Sequence, residues 1–356
     1  MQKPEDIEKM LGLGLQIDDT WLEKALLLFG EENVRGKIAS LLLETNSLRL
    51  TPRIWKQLYS QTPAGEAKTD LGGLINGLLR TQEFSKLHDI KKIIISCMPK
   101  SGSSFLQQTL CRALGYPHFS CVYSRTTSPS QFGVNNGEQA LDELVLIKNC
   151  LRTPVGSGFV SQIHLKGDAD TCMLLQAHNA KLLCTMRNVY DGIISLDNML
   201  TTIPSPQANW TSWWNQSAFK VPLNYLDLAF EERMECIAPS YGTWCIDYFV
   251  GWKRLEKFGQ EIAWIDYSRD LSRSGGNKVG MAERISEFLG LTDLQEGKFV
   301  DLCRSEDSVP AENARLNKAI DGRGSELPSH LRSQLERFAS RYREEISDEE
   351  FERYFT

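Results

Sequence analysis

The sequence predicts an α/β chain: a central parallel sheet covered by helices on both faces, in three layers, behind a helical N-terminal extension. Three observations predict it. From Lys92 onward, short apolar runs rich in β-branched residues alternate with amphipathic segments, the pattern of strands that return parallel through crossover helices. The first run, Lys92 to Met98, opens onto a turn of small polar residues and then a segment with apolar residues at helical spacing. Residues 1–90 carry Leu and Ile at spacings of three and four instead, which predicts helix.

At 356 residues the chain can bury a large core. Its net charge of −6 lacks the basic excess expected of a nucleic-acid binder, so any anion binding must be local. The nine cysteines are scattered, odd in number and without a C-x-x-C pair. That argues against a disulfide framework or a metal site and for a reducing, cytoplasmic compartment. The start, MQKPEDIEKM, is charged and acidic, unlike a signal peptide, and no run reaches the length of a membrane helix.

In order, WLEKALLLFG, VRGKIASLLLETN and LGGLINGLLRTQEF are the helical stretches of the extension, and TPAGEAKTD at 62–70 is a polar connector. The extension packs onto the main domain, forms a homo-oligomer contact or walls a binding site; no motif chooses among these. The division expected is therefore 1–90, helical extension, and 91–356, α/β domain. Strand 92–98 is followed by a helix carrying Leu106, Leu110, Cys111 and Leu114, then by an amphipathic helix at 137–151. A strand at 158–165 ends on His164, a helix covers 169–179, and a strand at 180–186 ends at Arg187. A helix is expected from about Asp191, another around 224–236, a longer one over 241–258 and a strand at 261–267. A helix at 279–291 precedes a polar, looped stretch, and an exposed, charged helix at 331–345 closes the chain.

The turn Pro99-Lys100-Ser101-Gly102-Ser103-Ser104 is the first candidate site. The leading N–H groups of a helix have no intrahelical acceptor and attract anions. Gly102 lets backbone approach a ligand, Lys100 adds a mobile positive charge, and the serines add hydroxyl donors. The spacing is not that of a Walker loop, because Lys100 precedes the glycine. The second candidate is Met186 to Ser195, where Arg187 at a strand end and Ser195 in the next helix can grip a phosphate. Asp191 can cap the helix or hold the arginine. His164, at a strand end, can act as general base, whereas His88, His118, His178 and His330 are read as structural.

The order Pro-Lys-Ser-Gly-Ser-Ser-Phe-Leu resembles the 5′-phosphosulfate loop of the PAPS-dependent sulfotransferases, in which PAPS is 3′-phosphoadenosine 5′-phosphosulfate. Arg187-Asn188-Val189-Tyr190-Asp191 through Ser195 resembles that family's 3′-phosphate motif R-N-P-x-D-x-x-x-S, with Val189 in place of proline. Lys318 to Gly322 is a weaker likeness to the K-G-x-x-G loop, with Ala319 for the first glycine. Phe105 takes the place of an adenine-stacking tryptophan. The resemblance spans roughly residues 90–330 and leans towards the bacterial and carbohydrate-type members through Gln162-Ile163-His164.

It implies a P-loop-like fold and transfer of a sulfuryl group from PAPS to an acceptor hydroxyl, leaving PAP, without a metal. The catalytic set implied is His164, Lys100 and Ser195. The donor site implied is Pro99, Lys100, Ser101, Gly102, Ser103, Ser104, Phe105, Arg187, Ser195, Lys318 and Gly322. The partners implied are a small-molecule donor and a hydroxyl acceptor, a glycan or glycolipid ahead of a phenol, with no nucleic acid. The tryptophans of NWTSWWNQSAFKVPLNY at 209–225 either stack on that acceptor or pack in the core. A kinase or NTPase, and a silent nucleotide-binding protein, are the competing classes.

Overall fold

Seven residues, Lys91–Cys97, form β1 because an Ile93-Ile94-Ile95 run suits a strand buried on both faces. The computed structural model describes residues 89–121, 152–202, 224–273, 275–305 and 322–356, with a few isolated positions between them. The expected extension over 1–90, the amphipathic helix at 137–151, most of the tryptophan-rich stretch and Lys318 lie wholly or largely outside the described residues.

Three further strands join β1: β2 (Gly158–Ile163), β3 (Lys181–Met186) and β4 (Ala263–Asp266). Their order is β2-β1-β3-β4 and every pairing is parallel. The chain leaves β1 on one side to make β2 and returns past it to make β3, so the winding direction changes at β1. Such a change opens a crevice at the C-terminal ends of the strands.

Alternation along β1 divides the core into two faces. Ile93, Ile95 and Cys97 pack with α1 (Ser103–Leu114) and with two helices described below. Ile94 and Met98 pack on the other face with α2 (Ala169–Ala177), α3 (Val189–Thr202), α4 (Phe230–Ile237) and α5 (Thr243–Lys257). After β4 come α6 (Lys278–Leu289) and α7 (Asp293–Arg304) on the α1 face, then α8 (Ser329–Ala339) and α9 (Asp348–Phe355) on the α5 face. This is the expected three-layer α/β arrangement with a central parallel sheet. No helix among the described residues is long and apolar enough to cross a membrane, and none of the nine cysteines forms a disulfide.

Several expectations are corrected. The stretch after 291 is not a loop but α7, started by a Thr292–Gln295 capping box and held by buried Phe299, Val300 and Cys303. The segment around 224–236 divides into a 3-10 turn, Tyr225–Asp227, and α4. The last helix is not simply exposed: α8 buries Leu331, Leu335 and Ala339, and a further helix, α9, buries Phe351, Tyr354 and Phe355. Its heavy acidic composition hid an apolar face that only three residues supply.

Polar groups at the sheet's C-terminal edge are anchored from α5. Tyr248 donates its hydroxyl to the Ser96 carbonyl at 2.9 Å, and Trp252 Nε1 donates to Ser96 Oγ at 3.0 Å and to the Leu165 carbonyl at 2.9 Å. A buried acceptor that loses its donor costs about 1–3 kcal/mol. Trp252→Phe is therefore expected to lower unfolding stability by about 1–3 kcal/mol, read as a lower urea midpoint at unchanged slope. An unchanged midpoint would show that these bonds contribute nothing.

Candidate functional site

β1 runs out at Cys97 and the chain turns sharply over Met98 to Gly102. Lys100 has φ +67° and Gly102 φ +81°, both in the left-handed region that a lysine occupies only at some cost. Ser101 between them is fully buried. Its hydroxyl lies 2.5 Å from both the Met98 carbonyl and Thr185 Oγ1, tying the turn to β3. Tyr241, in the π turn Ala238–Gly242 ahead of α5, donates its hydroxyl to the Pro99 carbonyl at 2.6 Å. A Cβ on Gly102 would lie 2.8 Å from Leu271 Cδ1 and 3.3 Å from Tyr267 Cδ2; the leucine end can shift, so it is φ that calls for glycine.

α1 then begins at Ser103 with no side-chain cap and no acidic residue in its first turn. Its positive end is therefore left for an external anion. Lys100 is half-buried beside it. Phe105 is half-buried, packs against the α1 face of the core, and has Lys278 Nζ 5.4 Å from its ring centroid.

The second candidate segment follows β3. Arg187 is buried, at 4% exposure, and its guanidinium lies 4.2 Å from the centroid of the Tyr267 ring, a cation–π contact. Its Nη1 donates to the Lys100 carbonyl at 3.4 Å. The two motifs, separated by more than eighty residues in sequence, therefore meet across the β1–β3 crevice. Asp191 lies 3.6 Å from Arg187 Nη2, but its carboxylate mainly accepts the N–H groups of Gly322, at 3.0 Å, and Gly324, at 2.6 Å.

The cap expected of Asp191 belongs to Asn188, whose Oδ1 accepts from the N–H groups of Tyr190 and Asp191. The helix accordingly starts at Val189, two residues earlier than expected. Ser195 lies one turn beyond Asp191 on α3 and is buried. Of the third motif, Gly322 is placed beside Asp191 with φ +80°, opening the 3-10 turn Arg323–Glu326.

His164 lies one residue past β2 and is half-buried. Its Nδ1 is 2.9 Å from the Cys97 carbonyl and 3.2 Å from Cys97 Sγ. Donation from Nδ1 to that carbonyl leaves the lone pair on Nε2, the tautomer a base requires. Gln162 Nε2 donates to Ser103 Oγ at 2.8 Å and lies 3.7 Å from Cys97 Sγ. Burial opposes charge on either partner of the Cys97–His164 pair. Their mutual attraction and hydrogen bonds outweigh it, pulling the Cys97 thiol below its ordinary value and pushing His164 above its own.

Tyr267, Tyr241, Thr185 and Cys97 were not singled out in the sequence. Tyr267 and Thr185 had one usable signal, a place at or near the end of an apolar strand. Among the described residues no group of three or more His, Cys, Asp or Glu could hold a metal ion.

No family model matches the chain, and no curated protein matches it. Among solved structures, the crystal structure of mouse sulfotransferase SULT7A1 complexed with PAP matches 76% of this chain and 89% of its own, at 14% identity and a TM-score of 0.43.

Removing the Asp191 carboxylate would take the acceptor from the buried Gly324 N–H and the part-buried Gly322 N–H, and a charge partner from the buried Arg187 guanidinium. Breaking such a buried pair costs about 3–5 kcal/mol. Asp191→Ala is expected to lose about that much stability, with faster amide exchange at Gly322 and Gly324. Unchanged exchange at both glycines would contradict the latch.

Proposed function

We propose that the protein is a sulfotransferase that moves a sulfuryl group from PAPS to an acceptor hydroxyl. The observation that carries the reading is the meeting of two anion-binding turns at one crevice, joined by the Arg187–Lys100 carbonyl contact, with His164 at the end of the adjoining strand. The residues present fit a doubly phosphorylated donor. α1 presents an uncapped positive end. The Asp191 carboxylate divides its charge between Arg187 and two backbone donors, so positive character remains at the guanidinium.

PAPS supplies a sulfuryl group carried on a phosphate that can leave. In the reading proposed, the N–H groups of residues 101–104 and the Lys100 ammonium hold the phosphosulfate, and Arg187 with Ser195 holds the 3′-phosphate. Phe105 offers a ring face to the adenine, and the resemblance alone assigns Gly322 and Lys318, the latter outside the described residues, to the nucleotide. His164 takes the acceptor proton at Nε2 as the hydroxyl attacks sulfur opposite the leaving oxygen. Lys100 compensates the negative charge that grows on that oxygen. Backbone donors and Lys100 supply the charge compensation, so no metal is needed. The acceptor is a glycan or glycolipid hydroxyl, the class favoured by the Gln162-Ile163-His164 sequence and the tryptophans at 209–225.

The assay is transfer of label from PAPS to sugars, glycolipids, phenols and amines, with His164→Ala as control. EDTA is expected to leave the rate unchanged; strict Mg²⁺ dependence, or turnover of Mg-ATP without PAPS, would favour a kinase instead. Lys100→Ala is expected to lower kcat by about 10²-fold or more while changing PAPS affinity less than about tenfold. Arg187→Ala should weaken PAPS binding first, and the opposite split between the two variants would overturn their roles.

The base must be neutral to work, and His164 is pushed up. The rate should therefore fall with acid around a midpoint above the ordinary histidine value of about 6.5. A midpoint below that value would remove the Cys97 contact from the account.

A further inference from the structure

We propose that Cys97 is a positioning residue for the base. Its carbonyl and its thiol together hold His164 by Nδ1, and its sulfur connects the base through Gln162 to the hydroxyl of Ser103 at the start of α1. This inference rests on the sulfotransferase reading for its meaning, though not for its geometry.

Three contacts build the link. His164 Nδ1 sits 2.9 Å from the carbonyl and 3.2 Å from the sulfur of one residue, so the ring is gripped from a backbone atom and a side-chain atom at once. The sulfur in turn lies 3.4 Å from the Ile163 carbonyl and 3.7 Å from Gln162 Nε2. Gln162 Nε2 also donates to Ser103 Oγ at 2.8 Å. Gln162 and His164 both come from the C-terminal end of β2, while Cys97 ends β1 and Ser103 begins α1. One polar chain therefore runs from the proposed acceptor base, behind the turn, to the proposed donor cradle. Cys97 is fully buried, so it acts through His164 and does not itself meet either substrate.

Burial opposes charge on both groups, while the contact between them pulls the Cys97 thiol down and pushes His164 up. The other ionisable groups around Cys97 are Cys184 from β3, and Tyr241 and Tyr248 from the π turn and α5. Burial pushes all three up, which leaves them neutral at ordinary pH. Lys100 is the cation on the turn three residues on. Within this buried set, the one thiol pulled down faces the one imidazole pushed up.

The test is a titration of the full chain with isotope-labelled histidine, the His164 resonance being assigned by its loss in His164→Gln. Cys97→Ala removes the sulfur and its contacts; Cys97→Ser keeps a hydrogen-bonding atom that does not ionise. In both variants the His164 midpoint is expected to fall by about one pH unit, with the His118 midpoint unchanged as a check on folding. The acid limb of sulfuryl transfer should move down in parallel, and Cys97→Ser should retain more of kcat than Cys97→Ala.

A shift below about 0.3 unit in both variants overturns the proposal, as does a moved midpoint without a moved acid limb. If the midpoint moves but the wild type transfers no sulfuryl group to any acceptor, the Cys97–His164 grip stands and the sulfotransferase reading is the one that fails.

Discussion

Ser101 is the residue on which the site's geometry turns. A chain that leaves a strand, passes through left-handed backbone at Lys100 and again at Gly102, and enters a helix at Ser103 would relax if nothing held its middle. The buried Ser101 hydroxyl holds it, facing the Met98 carbonyl on one side and the Thr185 hydroxyl on the other. One side chain thereby stabilises the tight turn and fixes its distance from β3. Arg187, two residues beyond Thr185, then reaches the Lys100 carbonyl. Local backbone strain at Lys100 persists because its surroundings determine it.

The support beneath that turn is aromatic and comes from a single helical segment. Tyr241, Tyr248 and Trp252 send one polar atom each to Pro99, Ser96 and Leu165, while their rings fill the α5 face of the core. An aromatic ring with a polar tip suits this position, because its body replaces water and its tip replaces the hydrogen bond that water would have made. One further aromatic works from the opposite side: Tyr267 lies against the Arg187 guanidinium and packs closely on Gly102. Both anion-binding turns are thus packed against the same ring.

Much of this was legible in the sequence. Four apolar runs and their order announced the parallel sheet, since β-branched strands alternating with helices have few other solutions. The turn at 99–104 and the pair Arg187 and Ser195 could be read because small residues and a basic residue at strand ends have a local meaning. What was not legible is what depends on contacts distant along the chain. Asp191 reads as a helix cap or a partner of Arg187, which it faces at 3.6 Å, but nothing local shows that it also accepts from Gly322 and Gly324, more than a hundred residues on. Cys97 carried no local sign of a partner, and only the register of β1 against β2 brings it beside His164. α7 was missed because its apolar face consists of three residues among many polar ones.

Asn188 has a consequence for how the crevice is assembled. One end of its side chain caps α3, and the other donates to the carbonyls of Arg353 and Thr356, while Tyr190 donates its hydroxyl to the Phe355 carbonyl. The turn carrying Arg187 is therefore finished by residues about 165 positions further along the chain. Contacts of that separation carry a large loop-closure entropy and form late. A ligand that bound the turn only when its cap is complete would also stabilise the docked α9, by mass action. Occupancy of the turn and docking of the final helix would then favour one another through Asn188.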